Sequence, residues 1–230
     1  MMAQVQPRRT WRLYASTALL IPFTQQTMCG GGSTGGPTAD DLLAITQSCS
    51  QLPGSSKFKT DSGSSTATIP VCELNGAIWW EADMDIDCDG GTETNCTKDP
   101  YYQSETAVVD SNGDPLDASN LPFLVIPLAS NGFDYAAEGI YKGAAGAVIY
   151  NGILQYGVFG DLGPKGMIGE GSYAMAAELG INPDPISGGT SSGVTYIVFT
   201  GSDAKVDPVE SESQAEVVGS QQATDLLNDN

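Results

Sequence analysis

Between Ala77 and Asp87 the chain reads Ala-Ile-Trp-Trp-Glu-Ala-Asp-Met-Asp-Ile-Asp, and the second half alternates strictly. That period of two predicts a strand with Ala82, Met84 and Ile86 on one face and Asp83, Asp85 and Asp87 on the other. Leu121 to Leu128 is a compact apolar run with prolines near both ends, the pattern of a strand at an edge or entry point. Ala144 to Tyr150 and Ile153 to Phe159 flank Asn151-Gly152, the strongest short hairpin signal. A last strand is predicted over Gly193 to Phe199.

Helical patterns are short. Asp40 to Ser48 predicts one helix, with Asp40 or Asp41 near its N-cap and Leu42, Leu43 and Ile45 forming its apolar side. Ser172 to Leu179 predicts another, capped by Ser172 and stopped at Gly180. From Gly201 onward apolar residues thin out and acids accumulate, which reads as a mobile tail over residues 201–230. The 28 glycines and 13 prolines also favour a turn-rich, mainly β body over a helical bundle.

The N-terminal residues predict export. Arg8, Arg9 and Arg12 precede a short apolar run, Leu13 to Phe23, which is shorter than a membrane span requires. Residues 1–29 are therefore read as an export signal and residues 30–40 as a Gly/Ser/Thr linker, leaving 41–200 as the catalytic domain. Cys29, just before the Gly-rich tether, is placed like the lipid acceptor of a lipoprotein; an ordinary cleaved signal is the equal alternative. Setting Cys29 aside leaves four of the five cysteines, an even set suited to an oxidising compartment. Cys88 and Cys96 bracket a short loop and are the first pairing to expect, with Cys49–Cys72 following by elimination. Four cysteines allow three connectivities, and sequence alone does not choose.

Charge and composition narrow the chemistry. The chain has no histidine, which removes Ser-His-Asp and Cys-His catalysis and the usual His-bearing zinc sites. Carboxylates are the remaining acids and bases. The formal net charge of −19 repels nucleic acid and anionic lipid and attracts cationic ligands, although solubility alone explains many acidic surfaces. Two acids, Asp161 and Glu170, stand on the glycine-rich stretch from Gly160 to Ser172, where backbone can turn tightly and approach a ligand closely. Taken alone, Asp161 reads as a turn aspartate beside Gly163-Pro164, and Glu170 as part of a helix cap.

Ala82-Asp83-Met84-Asp85-Ile86-Asp87-Cys88-Asp89-Gly90, with Cys96 and Asp99-Pro100 after it, resembles the fungal-type chitosanases of glycoside hydrolase family 75. So do the hairpin leading into Gly160-Asp161 and the Ile168-Gly169-Glu170-Gly171-Ser172 segment. The likeness runs from about Trp79 to Phe199. It implies an endo-acting hydrolase of the β-1,4-glucosaminide bonds of chitosan, with inversion, and Asp161 and Glu170 as the catalytic pair. Asp161-Leu162-Gly163-Pro164 and the Ser-capped helix also resemble the core of double-psi β-barrels such as rare lipoprotein A, expansins and some endoglucanases. That likeness implies a small six-stranded double-psi-type β-barrel with one or two short helices.

Within this reading Asp83, Asp85 and Asp87 line the cleft and bind the ammonium groups of glucosamine units. One of the two tryptophans, taken as Trp80, stacks on sugar, with Tyr156 a weaker candidate for the same role. Asp85 to Gly90 also fits the first half of a calcium loop, but the twelfth position from Asp85 is Cys96 rather than glutamate, which rules out an EF-hand. Substrate contact is favoured over metal, and no organic cofactor or obligatory metal is expected. A helix N-terminus beside Glu170 argues for Glu170 as base and Asp161 as acid, while burial or neighbouring carboxylates could reverse this, so the roles stay open. The expected partner is chitosan or its oligosaccharides, acted on by a secreted or surface-anchored monomer that binds no nucleic acid. The rivals are a non-catalytic expansin-like wall-binding protein and a peptidoglycan lytic transglycosylase on the same barrel. A calcium-dependent adhesion module is a third and weaker one.

Overall fold

The structure is a computed structural model that describes residues 35–230. The expected export signal and Cys29, expected as a lipid acceptor, lie outside the described residues. Seven strands follow α1 (Ala39–Ile45): β1 (Cys72–Leu74), β2 (Ala77–Asp87), β3 (Phe123–Pro127), β4 (Ala145–Tyr150), β5 (Ile153–Gly163), β6 (Glu170–Ser172) and β7 (Thr190–Phe199). Two more helices, α2 (Tyr173–Glu178) and α3 (Glu212–Asp229), lie after β6 and β7. The strand order β1-β2-β6-β3-β5-β4-β7 closes on itself because β7 also pairs with β2. Six strands thus form a closed barrel, and β1 is an extra strand on β2. Closure removes the free sheet edges that a small β domain must otherwise protect.

The hairpin forms where Asn151-Gly152 predicts it. Tyr150 faces Ile153 across a two-residue turn, and both turn residues take positive φ, 49° and 79°, as a type I′ turn requires. β5 then continues four residues beyond Phe159, so Asp161 lies in a strand, just past a register shift at Gly160, and not on a glycine-rich loop. Of the edge or entry point expected for it, β3 takes the second, with its prolines at its two ends. It lies inside the barrel between β5 and β6, with all five residues buried, and Pro127 simply ends it.

Helices α1 and α2 are capped by threonine and serine. Thr38, and neither Asp40 nor Asp41, is the N-cap of α1: its hydroxyl accepts the Asp41 N–H at 3.2 Å while the Asp41 carboxylate accepts the Thr38 N–H at 3.0 Å. Ser172 caps α2 by accepting from Met175 N at 3.1 Å, and Gly180 follows with φ +70°. The disulfides are Cys49–Cys72 and Cys88–Cys96. Among the described residues no helix is long and apolar enough to cross a membrane.

Residues 201–230 differ from the mobile tail expected of them. α3 spans 18 residues, starts at the Ser211 cap, and packs against β4 and β5. Its buried stripe is Ala215, Gly219, Ala223 and Leu226, spaced at helical intervals but built mostly from small residues. Small residues bring the helix close to the sheet: a Cβ on Gly219 would stand 2.5 Å from the Tyr156 ring. Such a stripe is weakly hydrophobic, which is why composition alone mistakes it for a solvated segment. Replacing Leu226, 3% exposed, with alanine is expected to lower the unfolding free energy by about 2–4 kcal/mol, as for other buried leucines. Chemical denaturation checks this, since a detached tail would leave the midpoint unchanged.

Candidate active site

Four strands bring four residues into one row. Asp85 on β2 faces Glu170 on β6, Glu170 faces Val125 on β3, and Val125 faces Asp161 on β5. Residues in register on adjacent strands project from the same face of a sheet. All four line one cleft of about 480 Å³. Asp161 and Glu170 are therefore separated by a single intervening strand, which sets their Cα atoms roughly 9–10 Å apart at the usual strand spacing.

Local glycines make room for these carboxylates. A Cβ on Gly163 would come 2.4 Å from Glu170 Oε2, and one on Gly169 would come 2.2 Å from Asp83 Oδ1. Gly169 also takes φ +115°, which L side chains rarely adopt. The glycines of the Asp161 and Glu170 motifs thus serve side-chain clearance more than loop flexibility.

Asp161 is buried, 7% exposed, and its Oδ1 accepts N–H bonds from Ala107 at 2.8 Å and Leu162 at 2.7 Å. Asp87 Oδ1 accepts the Asp89 N–H at 2.7 Å. Asp89 in turn grips Gln103 through its N–H at 2.7 Å and its side-chain amide at 3.0 Å. With the Cys88–Cys96 bond, these contacts fix the loop that carries Tyr101 on the cleft rim.

The family's sequence profile, that of the fungal chitosanases of glycosyl hydrolase group 75, matches residues 84–226. This chain belongs to that family. The matched span of the group 75 chain includes the whole row of cleft residues and runs past Phe199 through most of α3, so the C-terminal helix is part of the family domain. Endo-chitosanase C of Aspergillus oryzae is 36% identical over 172 residues, covering 71% of this chain and 43% of that protein. Endo-chitosanase B of the same organism is 35% identical over 161 residues, covering 62% and 67%. An endo-chitosanase of Aspergillus fumigatus is 33% identical over 163 residues, covering 64% and 68%. The group 75 chain spans less than half the length of endo-chitosanase C.

The residues singled out from sequence divide into two groups. Asp161, Glu170, Asp85 and Asp87 all line the cleft. Trp80 does not: it is fully buried and its ring stacks on Tyr196 at 5.4 Å, because the cross-strand pair of β2 and β7 places both rings in the core. Tyr156 also faces away, beneath Gly219 of α3. Asp83 is 5% exposed and sits behind the cleft wall under Gly169. Sequence reasoning missed Asp89, Asp99, Tyr101, Gln103 and Ile186 on the cleft lining. Tyr101, 86% exposed, and Ile186, 68% exposed, are the apolar members of the rim. Asp89 and Asp99 carried a signal, as parts of the family motif; Tyr101, Gln103 and Ile186 come from loops whose placement no pattern encodes.

Crowded acids raise one another's pKa. Glu170 is pushed up to about 7, first by burial and then by Asp85, Asp161, Asp83 and Asp89. Burial raises Asp161 as well, but the N–H bonds from Ala107 and Leu162 and the nearby Lys142 oppose the rise. Asp87 is held well above the carboxylate range by burial and then by Asp161, while Asp89 reaches about 6, mainly through burial.

The sign of the stability effect follows from Glu170. Its folded pKa lies above the unfolded value, so the native state holds the proton longer. The stability it contributes is complete below about pH 4.5 and is lost as pH rises through about 7. Thermal unfolding in buffer free of divalent cations is expected to show a Tm that falls across this window. Glu170→Gln is expected to flatten the fall measurably, on the order of 2–3 kcal/mol at neutral pH.

Proposed function

We propose that this chain is an endo-acting glycoside hydrolase that cleaves β-1,4-glucosaminide bonds of chitosan with inversion, using Asp161 and Glu170. The observation that carries this reading is the register row. Two carboxylates on β5 and β6 flank β3 and open onto one cleft, with one strand between them. Inverting enzymes hold their two carboxyl groups roughly 6.5–9.5 Å apart. The named chitosanase relatives supply the substrate class, and the acidic lining suits a polycation.

Electrostatics divides the roles. Glu170 is surrounded by carboxylates and keeps its proton to about pH 7, which suits the general acid at the leaving oxygen. Asp161 accepts two backbone N–H bonds that stabilise its ionised form, which suits the base that activates water. The helix-dipole argument for the opposite assignment loses force because α2 has only six residues and Ser172 already caps it. Protonated Glu170 donates to the glycosidic oxygen as the bond breaks, while Asp161 takes a proton from water attacking the opposite face of the sugar. Asp85 and Asp87 contact substrate ammonium groups, and Tyr101 and Ile186 offer the rim an apolar surface. Two disulfides in a chain with an export-like N-terminus favour an extracellular site of action.

Reducing-sugar release from soluble chitosan tests the proposal. Asp161→Asn and Glu170→Gln are each expected to lower kcat by at least about 10³-fold with folding intact, and wild-type activity is expected to decline above about pH 7. Proton NMR of the first product should show the α-anomer. A β-anomer would convert the reading to a retaining mechanism, and binding without turnover would favour a wall-binding protein. A finer probe is Gly163→Ala, whose Cβ displaces the Glu170 carboxylate. It is expected to lower kcat by about 10²-fold with little change in KM, measured by initial rates.

A further inference from the structure

One buried charge is left over by this chemistry. Asp83 is 5% exposed, and its Oδ1 has no hydrogen-bond partner. Buried polar groups are almost always paired, and an isolated buried carboxylate is among the least tolerated. Asp83 does not line the cleft, so a sugar-borne ammonium has no access to it. Its backbone is nevertheless held firmly: the Tyr196 hydroxyl donates to the Asp83 carbonyl at 2.8 Å, and the pairing of β2 with β7 changes register between Ala82 and Met84. Register irregularities of this kind commonly re-aim a side chain beside a functional site.

The Asp83 carboxylate points towards company of its own sign. One carboxylate oxygen from each of Asp61, Asp83 and Asp85 lies within 4.8 Å of the other two. Asp61 comes from a separate loop, which is joined to the barrel by Lys59 N to Gly166 O at 2.9 Å and Ile168 N to Lys59 O at 3.0 Å. Its Oδ2 is oriented by the hydroxyls of Thr60 at 3.1 Å and Ser64 at 3.4 Å. Three carboxylates gathered from two segments, one buried and unpartnered, repel each other unless a cation lies between them.

We propose that Asp61, Asp83 and Asp85 bind one divalent cation, calcium by the chemistry of the donor set. The donors are all hard oxygens, with neither nitrogen nor sulfur, and the open side towards Asp61 leaves room for the water ligands that calcium accepts. The site shares Asp85 with the incomplete calcium loop of Asp85 to Gly90 and uses one of its carboxylate oxygens, leaving the other for the cleft, while Asp87 and Asp89 of that loop group with Asp161 instead. The ion pins the Asp61 loop to β2 and compensates the charge behind the Glu170 end of the row.

The test does not read activity, so it stands or falls separately from the hydrolase proposal. The full chain is stripped with EDTA and titrated with calcium chloride by calorimetry. Terbium luminescence excited through the tryptophans, and Tm with and without calcium, run in parallel. One calcium per chain is expected, with a Tm rise of about 4 °C or more at saturation. Asp61→Asn, an exposed loop change that leaves the barrel intact, is expected to weaken binding at least tenfold, and Asp83→Asn to abolish it. Asp89→Asn is expected to leave binding unchanged. Absence of calcium-dependent heat and Tm shift overturns the site. So does binding that survives Asp61→Asn but is lost in Asp89→Asn, which places the ion in the neighbouring cluster.

Discussion

The cleft depends on β3 being shared by two partners. Val125 is in register with Asp161 on its parallel neighbour β5 and with Glu170 on its antiparallel neighbour β6. Backbone pairing of one buried strand therefore sets the separation of two carboxylates that are nine residues apart in sequence. Side chains on flexible loops could not hold that separation, whereas a ladder of backbone hydrogen bonds holds it within a few tenths of an ångström. The barrel's closure through β2 and β7 keeps the ladder from shearing, because no strand of the ring has a free edge along which to slip.

The second constraint is the density of negative charge that this arrangement creates. Asp85, Asp87, Asp89, Asp161 and Glu170 all open onto one cleft, and burial removes the water that would otherwise screen them. Such crowding works against folding at neutral pH and at the same time raises the Glu170 pKa, a perturbation of the kind that clusters at functional sites. It also makes the site a strong attractor for positive charge, whether carried by substrate or by an ion. Glycines at 163 and 169 relieve the steric side of this crowding, since side chains there would collide with the Glu170 and Asp83 carboxylates.

Much of the fold was legible from local pattern. The β2 strand, the Asn151-Gly152 turn and the Ser172 cap each depend on residues within a few positions of one another, and each formed as read, except that a register shift between Ala82 and Met84 breaks the alternation and Asp83 is buried. The group 75 likeness was legible for the same reason, because its motifs are contiguous. Errors fell where a long-range partner decides. Trp80 was assigned to the cleft but meets Tyr196 of β7 across the core. Tyr156 was assigned to substrate but is covered by Gly219 of a helix 63 positions later. Of the two places its prolines allowed, β3 takes strand entry and exit and not a sheet edge, because two strands flank it.

The available chemistry can be read from residue types alone: no histidine, an excess of acids, and two carboxylates in family motifs. Residue order also determined most strand positions, through the period-two pattern that burial on one face imposes. Which of those acids share a cleft, that Asp83 is buried with an unpaired Oδ1, and which acids accept N–H bonds follow from the packing of distant segments. Those properties depend on register between strands and on burial, and both are set by contacts between residues far apart along the chain. A carboxylate's pKa, and hence its role, belongs to that environment and not to its place in the sequence.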